Sequence, residues 1–211
     1  MREKEFWPVF EGKHVDQFLI GRKPIRWWLS LDQMRKKYRR DPREEAVLVF
    51  RDTARNTDER TCIAAVLPPR SVACNTLTGL LVQNIDPAIA AIVLNSLCFD
   101  FALRLRTAGT HVSLTYINPV PVPPAGALTG LSPLSTRVSW ETGIENITED
   151  ESLWPALWFA NRVVAQAYGL DKDDFGHILD SFPVFARKRQ KFMEFLRTEL
   201  AKTDVFSQPN L

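Results

Sequence analysis

The feature that most constrains this chain is the stretch AIAAIVLNSLCFDFALRLR, Ala88–Arg106. It is apolar around most of its circumference as far as Asp100. A helix made from it therefore cannot lie on a surface and has to be walled in by other elements. Asp86 suits the cap position before it, Pro87 suits the first turn, and Gly109 supplies a stop. These signals predict one long buried helix over Pro87–Arg106. Leu94, Leu97, Phe101 and Leu105, spaced by three and four, form its core stripe. Asn95 and Ser96 are expected to satisfy buried backbone rather than touch a ligand.

The remaining elements must supply the walls. Phe6–Phe10 is a short apolar run, Gly12 offers a turn, and Ile25–Leu29 is a second run rich in aromatics. Trp27 and Trp28 are adjacent, so on a strand they point to opposite faces: one toward the core, the other exposed for a neighbouring domain. Leu31–Arg40 reads as a short basic helix. Ala46–Phe50 and Cys62–Leu67 have the length and branching of buried strands, Leu77–Val82 is a further strand candidate, and His111–Ile117 alternates as a strand does. Asn118–Pro124 is stiffened by prolines. Beyond Glu149 the pattern is helical over Asp150–Tyr168, Lys172–Leu179 and Arg187–Leu200. The fold class expected is α+β: an N-terminal mixed β-sheet part with one long buried helix over residues 1–124, a linker or loop over 125–149, and a helical C-terminal subdomain over 150–211.

Charge and cysteine usage narrow the function classes. The net charge is only +2, but residues 1–70 hold 16 Lys/Arg against 11 Asp/Glu, residues 71–186 hold 5 against 11, and residues 187–211 hold 6 against 3. Basic ends around an acidic middle allow one positive face toward a polyanion. Cys62, Cys74 and Cys98 fit neither a disulfide framework nor a zinc knuckle, which points to a reducing, cytoplasmic setting. No run of about 18 apolar residues exists to span a membrane, and the N-terminus does not read as a signal peptide. There is no glycine-rich phosphate loop, no Gly-x-Ser-x-Gly elbow and no histidine pair at metal-binding spacing. Asn118-Pro119-Val120-Pro121 lacks the aromatic that a flipped adenine stacks on. Glu11-Gly12-Lys13 matches half of a metal-dependent nuclease site but has no Asp upstream, so a turn is the reading there, with a cryptic nuclease as the weakest alternative.

The segment with the densest recognition chemistry is FRDTARNTDERT, Phe50–Thr61. Arg51, Arg55 and Arg60 are forked donors, Asn56 both donates and accepts, and Thr57 carries a small hydroxyl. Such groups bind phosphate oxygens and read purine edges. The competing structural role is an internal lock, for example an Arg60–Asp52 ion pair. A second cluster, Arg104, Arg106, Thr110 and His111, lies where the long helix gives way to the next segment. Its structural role would be to complement the helix C-terminus.

Four stretches carry a resemblance: PVFEGKHVDQF (Pro8–Phe18), FRDTARNTDERTCIAAVLP (Phe50–Pro68), LNSLCFDFALRLRTAGTHVSLTYINPVPVPP (Leu94–Pro124) and RVVAQAYGLDKDDFGHILDSFPV (Arg162–Val184). In this order the chain resembles the C-terminal target-recognition region of prokaryotic adenine-N6 DNA methyltransferases, chiefly fused type II restriction–modification enzymes and their phage-defence relatives. The basic segment ARKRQKFMEFLRTEL after Phe182-Pro183-Val184 departs from the family's short ending. The resemblance implies a DNA-binding specificity region, not catalytic by itself. Its partners would be double-stranded DNA and a methylase domain, in the same polypeptide or separate, and that missing half would bind S-adenosylmethionine and flip the base. No cofactor, metal or membrane contact is expected of this chain. The candidate DNA-binding residues are Arg26, Arg51, Arg55, Asn56, Thr57, Arg60, Arg104, Arg106, Thr110 and His111. The alternative is a protein-interaction module docking on a separate methylase or nuclease domain, with Leu153, Trp154, Leu157 and Trp158 as the apolar contact.

Overall fold

The computed structural model describes residues 6–21, 23–38, 45–107, 109–132, 146–203 and 206, without the side chains of 37 and 38. At its centre is a three-stranded antiparallel sheet in which β5 (Val47–Arg51) lies between β6 (Ala64–Leu67) and β8 (Leu77–Leu80). The register pairs Leu48 with Val66 and Leu80, and Phe50 with Ala64 and Thr78. Because neighbouring side chains point to opposite faces, Leu48, Phe50, Ala64 and Val66 enter one core while Val49, Ala65, Leu67 and Leu77 enter another. Both faces are covered, which is why AVLVF and CIAAVL read as continuous apolar runs rather than alternating ones.

The smaller core is closed by β1 (Phe6–Phe10), the hairpin of β2 (Val15–Asp16) and β3 (Leu19–Ile20), and a second three-stranded sheet. In that sheet β1 pairs antiparallel with β4 (Trp28–Ser30) and parallel with β7 (Val72–Ala73). The helix α1 (Leu31–Tyr38) packs on β4. Trp27 and Trp28 do not divide between core and solvent as their adjacency suggested; both are exposed. Turn residue His14 is completely buried, its ring edge-on to Phe10 and its Nδ1 accepting the Glu11 N–H at 2.8 Å. Burial, reinforced by the Lys13 charge, lowers its pKa below the ordinary 6.5. A histidine kept neutral in the fold but free to protonate when unfolded gives stability that is complete above about 6.5 and declines as the pH falls through that value. The melting temperature should accordingly drop between pH 7 and pH 5, and His14→Asn should lessen the drop. An unaltered pH profile in that variant would count against the buried imidazole.

On the other side of the central sheet lies the apolar stretch, and it is not one helix. Asp86 caps α2 (Pro87–Asn95), its carboxylate accepting from the Ala88 N–H at 2.6 Å. Ser96 then leaves the helical region (ψ 153°), and α3 (Leu97–Arg104) departs at 63°. The Ser96 hydroxyl serves both helix ends, donating to the Val93 carbonyl at 2.7 Å and accepting from the Phe99 N–H at 3.1 Å. The bend also redirects the expected stripe. Leu94 and Leu97 are buried, but Phe101 is only half-buried and Leu105 stands in solvent. No single helix among the described residues is long and apolar enough to cross a membrane.

After α3 the chain departs from the strand expected over His111–Ile117. His111 makes an isolated antiparallel bridge to Thr53, and Leu114–Ile117 forms a helical turn, α4. Ala125–Leu131, expected to be linker, is a 3-10 helix that buries Leu128 and Leu131. Residues 133–145 of that segment lie outside the described residues. The tail forms α5 (Trp154–Ala167), α6 (Lys172–Asp180), α7 (Pro183–Lys188) and α8 (Gln190–Lys202), the last two separated at Arg189 where a single helix was expected. Phe175, Phe182, Phe185, Phe192 and Leu196 share one continuous core with Phe50 and Leu97. Trp158 joins that core and Trp154 packs with tilted rings against Phe192 and Phe195, so these two apolar side chains are engaged inside the fold.

Candidate functional site

The lone carboxylate of the apolar stretch organises the site. Asp100 on α3 is completely buried. It accepts from Arg60 Nε at 2.6 Å, from Arg104 Nε at 2.9 Å and from the Thr61 N–H at 3.1 Å. Arg60 Nη2 also donates to the Asn95 carbonyl (2.6 Å), which the break between α2 and α3 leaves without a helical partner, and to the Ser96 carbonyl (3.1 Å), which also accepts the Asp100 N–H. With its amide oxygen turned inward, Gln17 accepts from Arg60 Nη1 at 2.8 Å. Phe182 and Phe185 flank the same guanidinium, each ring centre 5.8 Å away. Asn95 grips β6 from the side, its Oδ1 accepting the Ala64 N–H at 3.0 Å and its Nδ2 donating to the Ala64 carbonyl at 2.8 Å. Asn95 and Ser96 thus do satisfy buried backbone.

Arg104 transmits this order to the loop. Its Nη1 donates to the Asn56 carbonyl (3.1 Å) and its Nη2 to those of Asp58 (2.9 Å) and Glu59 (3.0 Å), while the guanidinium lies 4.2 Å over Phe182. Within the loop the Arg55 N–H donates to the Asp58 carboxylate at 2.9 Å and Thr61 Oγ1 to the Arg55 carbonyl at 2.9 Å. Glu59 accepts from Arg189 Nε at 2.6 Å, and Arg189 Nη1 also reaches Glu149 at 2.6 Å. The Arg104 and Arg189 contacts thus hold the loop from α3 and from the tail.

Two of the expected DNA-contacting residues, Arg60 and Arg104, are therefore internal braces. Their donors are spent on Asp100 and on backbone carbonyls, so they face inward. The internal lock exists, but Arg60 pairs with Asp100, not with Asp52. Asp52 instead holds His111, with Nδ1 and Oδ2 2.9 Å apart. No family model, curated protein or solved structure matches this chain.

The outer side of the loop presents exposed Arg55, Asn56 and Thr57. Exposed Thr110 and His111 lie beside it, because the Ala54 N–H donates to the Thr110 carbonyl (3.2 Å) and the Val112 N–H to the Asp52 carbonyl (2.6 Å). Arg106 is exposed two residues after Arg104. The start of the loop and the end of the second cluster, far apart in sequence, are thus tied together through their backbones. Arg51, at the end of β5, forms no ion pair among the described residues. It lines a polar cleft of about 300 Å³ with Thr53, Asp58, Asp16, Lys188 and Arg189. Arg26 lies elsewhere, where its charge reaches Glu11 and His14. Glu11, half of the nuclease-like fragment, is paired with Lys13, and this contact is the main cause of its lowered pKa. Sequence reading missed the cleft's far wall, Lys188 and Arg189. The signal available was the basic run at Ala186–Lys191.

Proposed function

We propose that this chain is the DNA-binding target-recognition region of a site-specific adenine-N6 DNA methyltransferase or restriction–modification enzyme. In this reading it is non-catalytic by itself and works beside a methylase domain that carries S-adenosylmethionine. The observation that supports it best is that exposed Arg55, Asn56 and Thr57 stand on a loop braced through Arg60 and Arg104 to buried Asp100, with Thr110 and His111 tied to the start of that loop and Arg51 and exposed Arg106 flanking it in sequence. Forked guanidiniums and an amide on a rigid support are suited to purine edges and phosphates, since a donor held in place loses less freedom on binding. The four ordered sequence stretches that resemble the target-recognition family support the same reading.

The test is fluorescence anisotropy of the chain with a random-sequence DNA duplex across a salt series. Binding should fall steeply with salt. Combined Arg51→Ala, Arg55→Ala and Arg106→Ala should flatten the log–log slope by about 2.7, since each lost phosphate contact removes about 0.9. Melting should be little changed, because none of the three braces the loop. A folded triple variant that binds duplex as well as the parent would exclude this face.

A further inference from the structure

Strands β1 and β4 pair with Pro8 opposite Trp28 and Phe6 opposite Ser30. Alternation places Phe6, Pro8 and Trp28 on one face and Trp7 on the other. Trp7 is buried, but Phe6 is 51% and Trp28 54% exposed, and nothing among the described residues covers them. Trp27, anchored through its carbonyl to the Val9 N–H at 2.9 Å, is 64% exposed. Scattered exposed apolar residues need no explanation; two aromatic side chains on one strand face, with a third exposed next to them in sequence, do.

Charge says what would cover it. Residues 22–40 hold eight Lys/Arg and a single acidic residue, Asp32, with the two tryptophans among them. Arg26 immediately precedes the tryptophans, Lys23 lies three residues before it, and both are exposed. Protein interfaces are depleted in lysine, whereas aromatic faces set among lysine and arginine are the means by which proteins grip an unpaired nucleic-acid strand. A duplex keeps its base faces inside the stack; an unpaired strand offers them. We propose that the Phe6–Trp28 face, together with Trp27, binds single-stranded nucleic acid, with bases stacked on Trp27 and Trp28 and phosphates held by Lys23 and Arg26. This site stands on residues apart from the 51–60 loop and does not depend on the duplex reading.

The experiment is anisotropy of the full chain with labelled oligodeoxythymidylate of about 16 nucleotides, enough to span one such site. The parent should bind at low salt. Trp27→Ala and Trp28→Ala should each weaken binding by about 5- to 150-fold, and Trp27→Phe and Trp28→Phe should restore most of it. Thermal melting should not move, since both rings are mostly in water. No binding by the parent, or equal binding by the double alanine variant, overturns the proposal. So does a parent that sediments as a dimer and becomes monomeric on losing both tryptophans, because the face is then a protein contact. Duplex binding is measured separately on the loop variants, so the two readings fail independently.

Discussion

Asp100→Ala is expected to destabilise the protein by about 3–5 kcal/mol, the usual result of orphaning a buried charge. For a chain of this size that lowers the melting temperature by about 6–20 °C. The effect should be at the upper end, because the carboxylate balances two guanidiniums and one backbone N–H at once. Without it, buried Arg60 and partly buried Arg104 remain beside Phe182 with no counter-charge. Arg60→Ala should cost less, since Asp100 keeps Arg104 and the Thr61 N–H. What that variant loses is the charged partner of the Asn95 carbonyl and of Gln17, while the Ser96 carbonyl keeps the Asp100 N–H. Urea melts of the two variants against the parent measure both quantities. An Asp100→Ala protein that melts within about 2 °C of the parent, or that is more stable than Arg60→Ala, contradicts the hub.

The hub also marks how far the sequence could be read. A carboxylate inside an apolar run is visible as an anomaly, and physical chemistry requires a buried cation for it. One cation, Arg104, is legible a single turn on at i,i+4; the other is not, because Arg60 lies 40 positions earlier in a loop of similar donors. The same limit governs the proposed recognition residues. Arg51, Arg55, Arg60 and Arg104 are alike in composition, and only the packing of α3 against the loop separates those that brace from those that face outward. Periodicity failed at Ser96 for a different reason: the three-and-four spacing continues across the bend, so Leu105 reads as core although it is exposed. The strands were legible because a sheet covered on both faces leaves long apolar runs. His111–Ile117 was not, because its alternation is spent on a single bridge to Thr53 before a helical turn begins.

Phe182→Ala is the second change with a large expected effect, and it links the tail to the site. Phe182 is completely buried, 6.5 Å from the Phe185 ring and directly beneath Arg104. Removing a buried phenylalanine typically costs about 3–5 kcal/mol, part of it from the cavity left behind. Here the ring also supports the guanidinium that holds the Asn56, Asp58 and Glu59 carbonyls, a cation–π contact of about 2 kcal/mol where water is excluded. The loss should therefore be uneven. Beyond the global destabilisation, amide exchange over Arg55–Thr61 should accelerate more than exchange in β5 or β6, because the loop depends on Arg104 while the strands are held by their own ladder. A Phe182→Leu variant fills most of the volume but offers no π face, so it should recover much of the melting temperature and leave the loop exchange fast. If Phe182→Leu restores slow exchange as well, the ring acts by volume alone, and the order of the 51–60 face comes from the Asp100 contacts rather than from the tail.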